Sequence, residues 1–226
     1  MESVYTRTEL ILGKTAVEKL KNSSVIVFGV GGVGGYTVEA LARTGVGKIA
    51  LVDFDTVNVT NLNRQIITDL GNISRKKVEV CKERILKIND KIEVTVFDEF
   101  FDENSKINLA EYDYIVDAID SIKSKIFLIK KAKELNVKII SCMSAGNKLD
   151  ATLFTVSDIY STTDCPIARI LRRELKKEGI DSLKVVYSKE KAVDKPDGKV
   201  NTIGSLAHVV GVAGLIMAGE VIKDLV

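Results

Sequence analysis

An α/β fold, Rossmann-like, with a doubly wound and mostly parallel sheet is what this sequence predicts, and three observations predict it. Four apolar residues at 25–28 run straight into a glycine-rich turn, Gly29-Val-Gly-Gly-Val-Gly-Gly35, and then into a helical stretch at 33–44. A short β-branched run closed by glycines is the mark of a fully buried strand. A second apolar strand, 49–52, follows the helix and ends in Asp53, nineteen residues after Gly34. Strand-like and helix-like stretches then alternate as far as Ser141, the pattern of right-handed βαβ units.

The elements follow in order. A short segment at 8–12, a break at Gly13 and a helix at 15–21 precede the first strand. After Asp53 comes a polar, irregular segment, 54–65, longer than most βα connections and therefore a place to look for function. Ser74 is placed to cap a helix running to about 89, and a strand is expected at 92–97 with a short helix near 104–110. The strand 114–116 ends in Asp117-Ala-Ile-Asp120; Ser121 opens a helix to about 135, and 137–141 is a further strand. Alternating stretches at 152–156 and 183–187 predict an antiparallel extension of the sheet. Between them Cys165-Pro166 opens a basic amphipathic helix, 167–178; a turn-rich loop, 188–201, contains Lys195-Pro-Asp-Gly198, and an apolar helix at 205–223 is expected to be buried in the core.

Composition bounds the function. The 226 residues are 46% hydrophobic and 28% charged, with a formal net charge of +2 and no low-complexity linker. These values predict a single domain, 1–226, and argue against a histone-like nucleic-acid binder while leaving room for local basic faces. The N-terminal residues lack a basic region followed by an apolar run, which predicts a cytoplasmic protein. The stretch 203–222 is interrupted by His208, Glu220 and five glycines or serines, so a core helix is expected there, with no membrane partner. Three scattered cysteines, Cys81, Cys142 and Cys165, form no C-x-x-C pair.

The candidate site assembles at the carboxyl ends of the parallel strands, where open α/β sheets bind ligands. Gly29, Gly31 and Gly34 fit G-x-G-x-x-G, with Gly32 in the same turn: the first permits the turn, the second admits phosphate, the third packs helix on strand. Asp53 is placed to accept ribose hydroxyls. Asn61, Arg64 and Lys77 have no evident use in a plain dinucleotide site, and the two cations suit a triphosphate whose transition state gathers charge on equatorial oxygens. Asp55 reads either as a ligand or as a turn former, and Asp117 either as a ligand or as a strand end. Asp120, which clears the strand, is the metal candidate.

These motifs resemble a family. Gly29-x-Gly-Gly-Val-Gly, Asp53-Phe-Asp55, Asn61-Leu-Asn-Arg-Gln65, Lys77-Val and Asp117-x-x-Asp120 are similar to the successive motifs of the ubiquitin-activating-enzyme-like (ThiF/MoeB/HesA) adenylation superfamily. The resemblance implies a nucleotide-binding half to about 147, ATP and Mg2+ as cofactors, ribose on Asp53, triphosphate on Asn61, Arg64 and Lys77, and a magnesium and catalytic role for Asp120. It also implies a homodimer in which Arg7, in Tyr5-Thr-Arg7, reaches the partner's ATP site. The second half, with Cys142-Met-Ser-Ala-Gly, Cys165-Pro-Ile-Ala-Arg169 and Gly204-Ser205, resembles the tRNA threonylcarbamoyladenosine dehydratases of that superfamily. That likeness implies ATP-dependent activation of the threonyl carboxylate followed by ring closure, with tRNA as partner and a basic helix, carrying Arg169, Arg172 and Arg173, on its phosphates.

Gly35, Ala151, and His208 with Val210 stand where the resemblance implies Ser, Pro and a Phe-Val-Pro run. His208 reads as a core residue, and Cys165, at a helix start, as a thiol the dipole could activate, which leaves a sulfur-relay protein partner open. Two other functions are carried. One is an adenylyltransferase for a ubiquitin-like sulfur carrier, whose usual zinc cysteines are missing; the other is an NAD-binding module without turnover.

Overall fold

The computed structural model describes residues 3–193 and 203–226. Helices α1 (Thr6–Leu12) and α2 (Lys14–Asn22) precede β1 (Ser24–Phe28). There follow α3 (Gly32–Thr44), β2 (Lys48–Val52), α4 (Lys77–Ile88), β3 (Glu93–Phe97) and β4 (Tyr114–Asp117). The second half holds α5 (Ile122–Glu134), β5 (Lys138–Cys142), β6 (Phe154–Asp158), α6 (Pro166–Lys177), β7 (Lys184–Ser188) and α7 (Ala207–Leu225). All seven strands share one sheet in the order β3-β2-β1-β4-β5-β7-β6. The chain winds outward from β1 to β3, then returns to β4 on the other side of β1, so a switch point lies between β1 and β4.

Both faces of the central strands are covered, which is why they read as unbroken apolar runs. Val25 and Val27 of β1 join a core with Leu41 of α3, Ile85 of α4 and Met217 of α7; Ile26 and Phe28 join another with Leu128 of α5 and Leu171 of α6. Helix α7 is buried against α3, and the glycines that interrupt its apolar run explain how. A Cβ on Gly214 would lie 2.3 Å from the carbonyl oxygen of Val33, and the Thr37 hydroxyl donates to the Gly214 carbonyl at 3.0 Å. The far end of α7 is pinned by Asp224, which accepts from the Tyr114 hydroxyl and pairs with Lys184, both at 2.7 Å. No helix among the described residues is long and apolar enough to cross a membrane.

The expected antiparallel extension is formed by β6 paired antiparallel with β7, which itself lies parallel to β5 because the chain leaves β6 through α6 and re-enters between β5 and β6. Two expectations need correction. The helix near 104–110 is one 3-10 turn, Leu109–Glu111, capped by the Asn108 side chain. Ser74 does not cap α4. Its φ of 67° lies in the left-handed region, and its N–H donates to Val57 while Val57 donates back to Arg75, each at 2.8 Å; this pairing holds the chain extended until Lys77. Of the loop at 188–201, residues 194–201 lie outside the described residues.

Backbone approach at glycine makes a contrasting pair of tests. A Cβ on Gly34 would sit 1.8 Å from the Gly29 carbonyl oxygen, whereas one on Gly219, within α7, meets nothing within 4 Å. Gly34→Ala is expected to lower stability by roughly 2 kcal/mol or more, about 4–8 °C in melting temperature. Gly219→Ala should raise it by about 0.5–1 kcal/mol through helix propensity. Equal melting temperatures for the two variants would contradict this packing.

Candidate active site

The turn after β1 is squeezed between its neighbours. Gly29 has a φ of 83°, its N–H donates to Val52 at 2.8 Å, and a Cβ there would lie 2.7 Å from the Ala118 carbonyl oxygen. Gly34 lies directly on Gly29, so α3 starts at the turn with the N–H groups of its first turn free of helical partners. This start opens into a crevice of about 420 Å³ at the carboxyl ends of the strands, lined by Gly29, Gly31 and Gly32 but not by Gly34.

At the end of β2, Asp53 Oδ2 accepts the N–H of Val30 at 2.8 Å and Oδ1 that of Asp55 at 2.9 Å. Burial pushes the Asp53 carboxyl above its ordinary value, opposed by the nearby Lys77 charge and by those two N–H donors. Lys77, the first residue of α4, is only 4% exposed, and its Nζ lies 2.6 Å from Asp55 Oδ2. Asp55 also accepts the Lys77 N–H at 3.0 Å, so it is the counter-ion that holds this lysine in the crevice wall. The Asn61 Oδ1 accepts from Asn58 N–H at 2.9 Å and ties the loop into a 3-10 turn, Val59–Asn61. Arg64 is propped by Thr60 O at 2.8 Å and Asn63 Oδ1 at 3.0 Å and makes no ion pair among the described residues.

Sequence reasoning missed several lining residues. Gln65 is buried, lines the crevice and has no partner for Oε1. Lys125 lines it from α5 and donates at 2.9 Å to Asp117, which is fully buried. The Lys125 position, eight residues after an aspartate, gives no periodic signal; only the meeting of β4 and α5 reveals the pair. Asp120 is exposed at the crevice mouth. Among the described residues no cluster of three or more metal-binding side chains occurs. A lone carboxylate suits Mg2+ in the mode that uses one or two protein carboxylates together with substrate phosphates and water.

Asn61, Arg64, Lys77, Asp53, Asp55 and Asp120 therefore share one crevice. An electropositive helix start and two cations form a donor set that fits a nucleoside triphosphate.

Other predicted residues lie elsewhere. Arg7 is exposed on α1, which is anchored by Tyr5 packed under Gly45 and hydrogen-bonded to Asn89. Gly45 follows the far end of α3, about 20 Å along its thirteen residues from the crevice-facing start, so Arg7 does not reach its own crevice. Of the helix α6 arginines, Arg169 is exposed without an ion pair among the described residues; Arg173 pairs with Glu174 at 2.8 Å; and Arg172 turns inward to the Thr162 carbonyl at 3.0 Å. His208 is exposed, not core, with Nε2 3.1 Å from Leu149 O, because α7 buries the opposite side. All three cysteines are buried, Cys165 included.

The chain is similar to known proteins. A Bacillus subtilis protein named tRNA threonylcarbamoyladenosine dehydratase is 42% identical over 238 residues, 98% of this chain and 94% of that protein. The Escherichia coli protein of that name is 39% identical over 173 residues, 76% of this chain and 65% of that one. The solved structure of E. coli tRNA N6-threonylcarbamoyladenosine dehydratase, TcdA, in complex with ATP, has a TM-score of 0.89 at 34% identity, covering 98% of this chain and 93% of that chain. Residues 5–226 match the ThiF family, and the chain belongs to it.

Proposed function

We propose that this chain uses ATP to dehydrate N6-threonylcarbamoyladenosine in tRNA. The observation that carries the reading is a crevice in which Arg64, free of any carboxylate among the described residues, shares one wall with the helix start at Gly32, in a chain similar from end to end to dehydratases of that name.

Asp53 holds the ribose and the α3 start takes phosphate on its free N–H groups. A threonyl carboxylate oxygen attacks a phosphorus of ATP, the bond to the departing phosphate breaks, and the carboxyl carbon gains a phosphoryl-ester leaving group. Arg64 and Lys77 stabilise the charge that gathers on the equatorial oxygens, while Asp55 keeps Lys77 in place. Asp120 would hold Mg2+, which supplies further neutralisation of phosphate charge. An atom of the same side chain then attacks the activated carbon and expels the phosphoryl group; the substrate is lighter by one water. The nucleophile is tethered, so its effective concentration comes from the substrate itself.

Arg7 belongs in this scheme only in a homodimer, since its own crevice is out of reach. Val4, Leu10 and Ile11, all strongly exposed beside it, give α1 an apolar face for such a contact. Arg169 and Lys176, exposed on α6, would meet tRNA phosphates by charge.

Incubation with ATP, magnesium and tRNA carrying threonylcarbamoyladenosine, followed by nucleoside mass spectrometry, should yield a species one water lighter that depends on ATP. Arg64→Ala and Asp120→Ala should each cut that yield by about 10²-fold or more. Normal turnover in either variant would sink the mechanism, and pyrophosphate exchange only with an added sulfur-carrier protein would favour the adenylyltransferase reading. Coexpressed Arg7→Ala and Asp120→Ala chains, each inactive alone, should regain activity in mixed dimers; a mixture as dead as its parts would remove Arg7 from the partner's site. For tRNA, Arg169→Ala should weaken binding and flatten the slope of log affinity against log salt by about 0.7–0.9. Arg172→Ala should instead lower the melting temperature, and the reverse pattern would exchange their roles.

A further inference from the structure

On the far side of Asp53 from the glycine turn, β3 adds residues to the crevice that hold neither phosphate nor ribose. The Asp53 N–H donates to Phe97 O at 3.3 Å, so the residues just after Phe97 lie beside the ribose carboxylate. Glu99, Phe100 and Phe101 line the crevice. Asp98 is neutralised by Lys76 at 3.0 Å, but Glu99 Oε1 is buried with no hydrogen-bond partner. Its surroundings are aromatic: Phe101 packs edge-on against Phe28 with centroids 4.6 Å apart, and Phe100 against Phe54 at 5.1 Å. A polar atom taken from water and given no partner is costly, and at a ligand site the missing partner is expected on the ligand.

We infer that Glu99 reads the base of the bound nucleotide by accepting a hydrogen bond on Oε1 from the exocyclic amino group of adenine. This rests on the reading of the crevice as an ATP site. With phosphate at Gly31 and ribose at Asp53, the base continues toward β3, between flat aromatic side chains suited to a purine. Along its edge adenine carries ring-nitrogen acceptors and one donor, the amino group. An ionised carboxylate only accepts, so the amino group is its one available partner. Guanine in the same pose sets its O6, an acceptor, against the carboxylate.

The test compares the affinities of ATP, purine riboside triphosphate and GTP by calorimetry. Purine riboside triphosphate is ATP without the amino group. The wild-type chain should prefer ATP over it by about tenfold or more, the worth of a hydrogen bond to a charged group. Glu99→Ala should bind the two within about twofold, with a melting temperature no lower, since the change removes an unpartnered atom. Glu99→Gln, which can also donate, should gain affinity for GTP, and it carries the test should the alanine variant fail to fold. An alanine variant that keeps the full preference for the amino group overturns the assignment, as does a wild-type chain that prefers GTP. A wild-type chain that binds none of the three overturns the ATP site itself and is seen before any variant is made.

Discussion

A buried charge holds the crevice in shape. Asp117 has no solvent exposure, and its two oxygens are shared among Lys125 Nζ at 2.9 Å, the Ser141 hydroxyl at 2.6 Å and the Ile119 N–H at 3.2 Å. An ion pair this deep holds only with its partners in place, and removal of one partner costs about 3–5 kcal/mol. The contacts tie β4 to β5 and to the first turns of α5. They also set the backbone at 118–119, which places Ala118 against Gly29 and carries Asp120 to the crevice mouth. The glycine turn and the acidic residue at the crevice mouth therefore depend on one ion pair beneath both.

Above that foundation, charge is divided by purpose. Lys77 is matched by Asp55, which fixes its position at some loss of free positive potential, whereas Arg64 is propped only by neutral oxygens and keeps its full charge for a ligand. Helix α6 shows the same division on the surface. Arg172 binds the turn before its own helix and Arg173 a neighbouring glutamate, while Arg169 points to solvent. A basic helix counted by sequence alone overstates the charge it can present.

Local signals were legible in the sequence wherever they had only one structural use. The glycine spacing, the buried strands, Asp53 and the Ser121 cap, whose side chain accepts from the Ser124 N–H, follow from backbone sterics and apolar period. What escaped depended on partners far along the chain. Ser74 has the chemistry of a cap, yet pairing with Val57 outcompetes it. His208 sits in an apolar run, but the run belongs to a helix with one buried side. Lys125 and the unpartnered oxygens of Gln65 and Glu99 are meaningful only once the strand ends meet.

The cysteines bear on how the activated carboxyl group is spent. A covalent relay needs an accessible thiolate, and this chain offers none: Cys165 is 6% exposed, and burial pushes the Cys142 thiol up to about 12. Cys142 nevertheless lines the crevice, beside Met143 and Ser144, so it shapes the wall without supplying a nucleophile. In the proposed reaction, such a wall leaves the acyl-phosphoryl group to the tethered atom of its own substrate. On that reading the protein's task is to position and to compensate charge, and the reacting atoms all belong to the ligands.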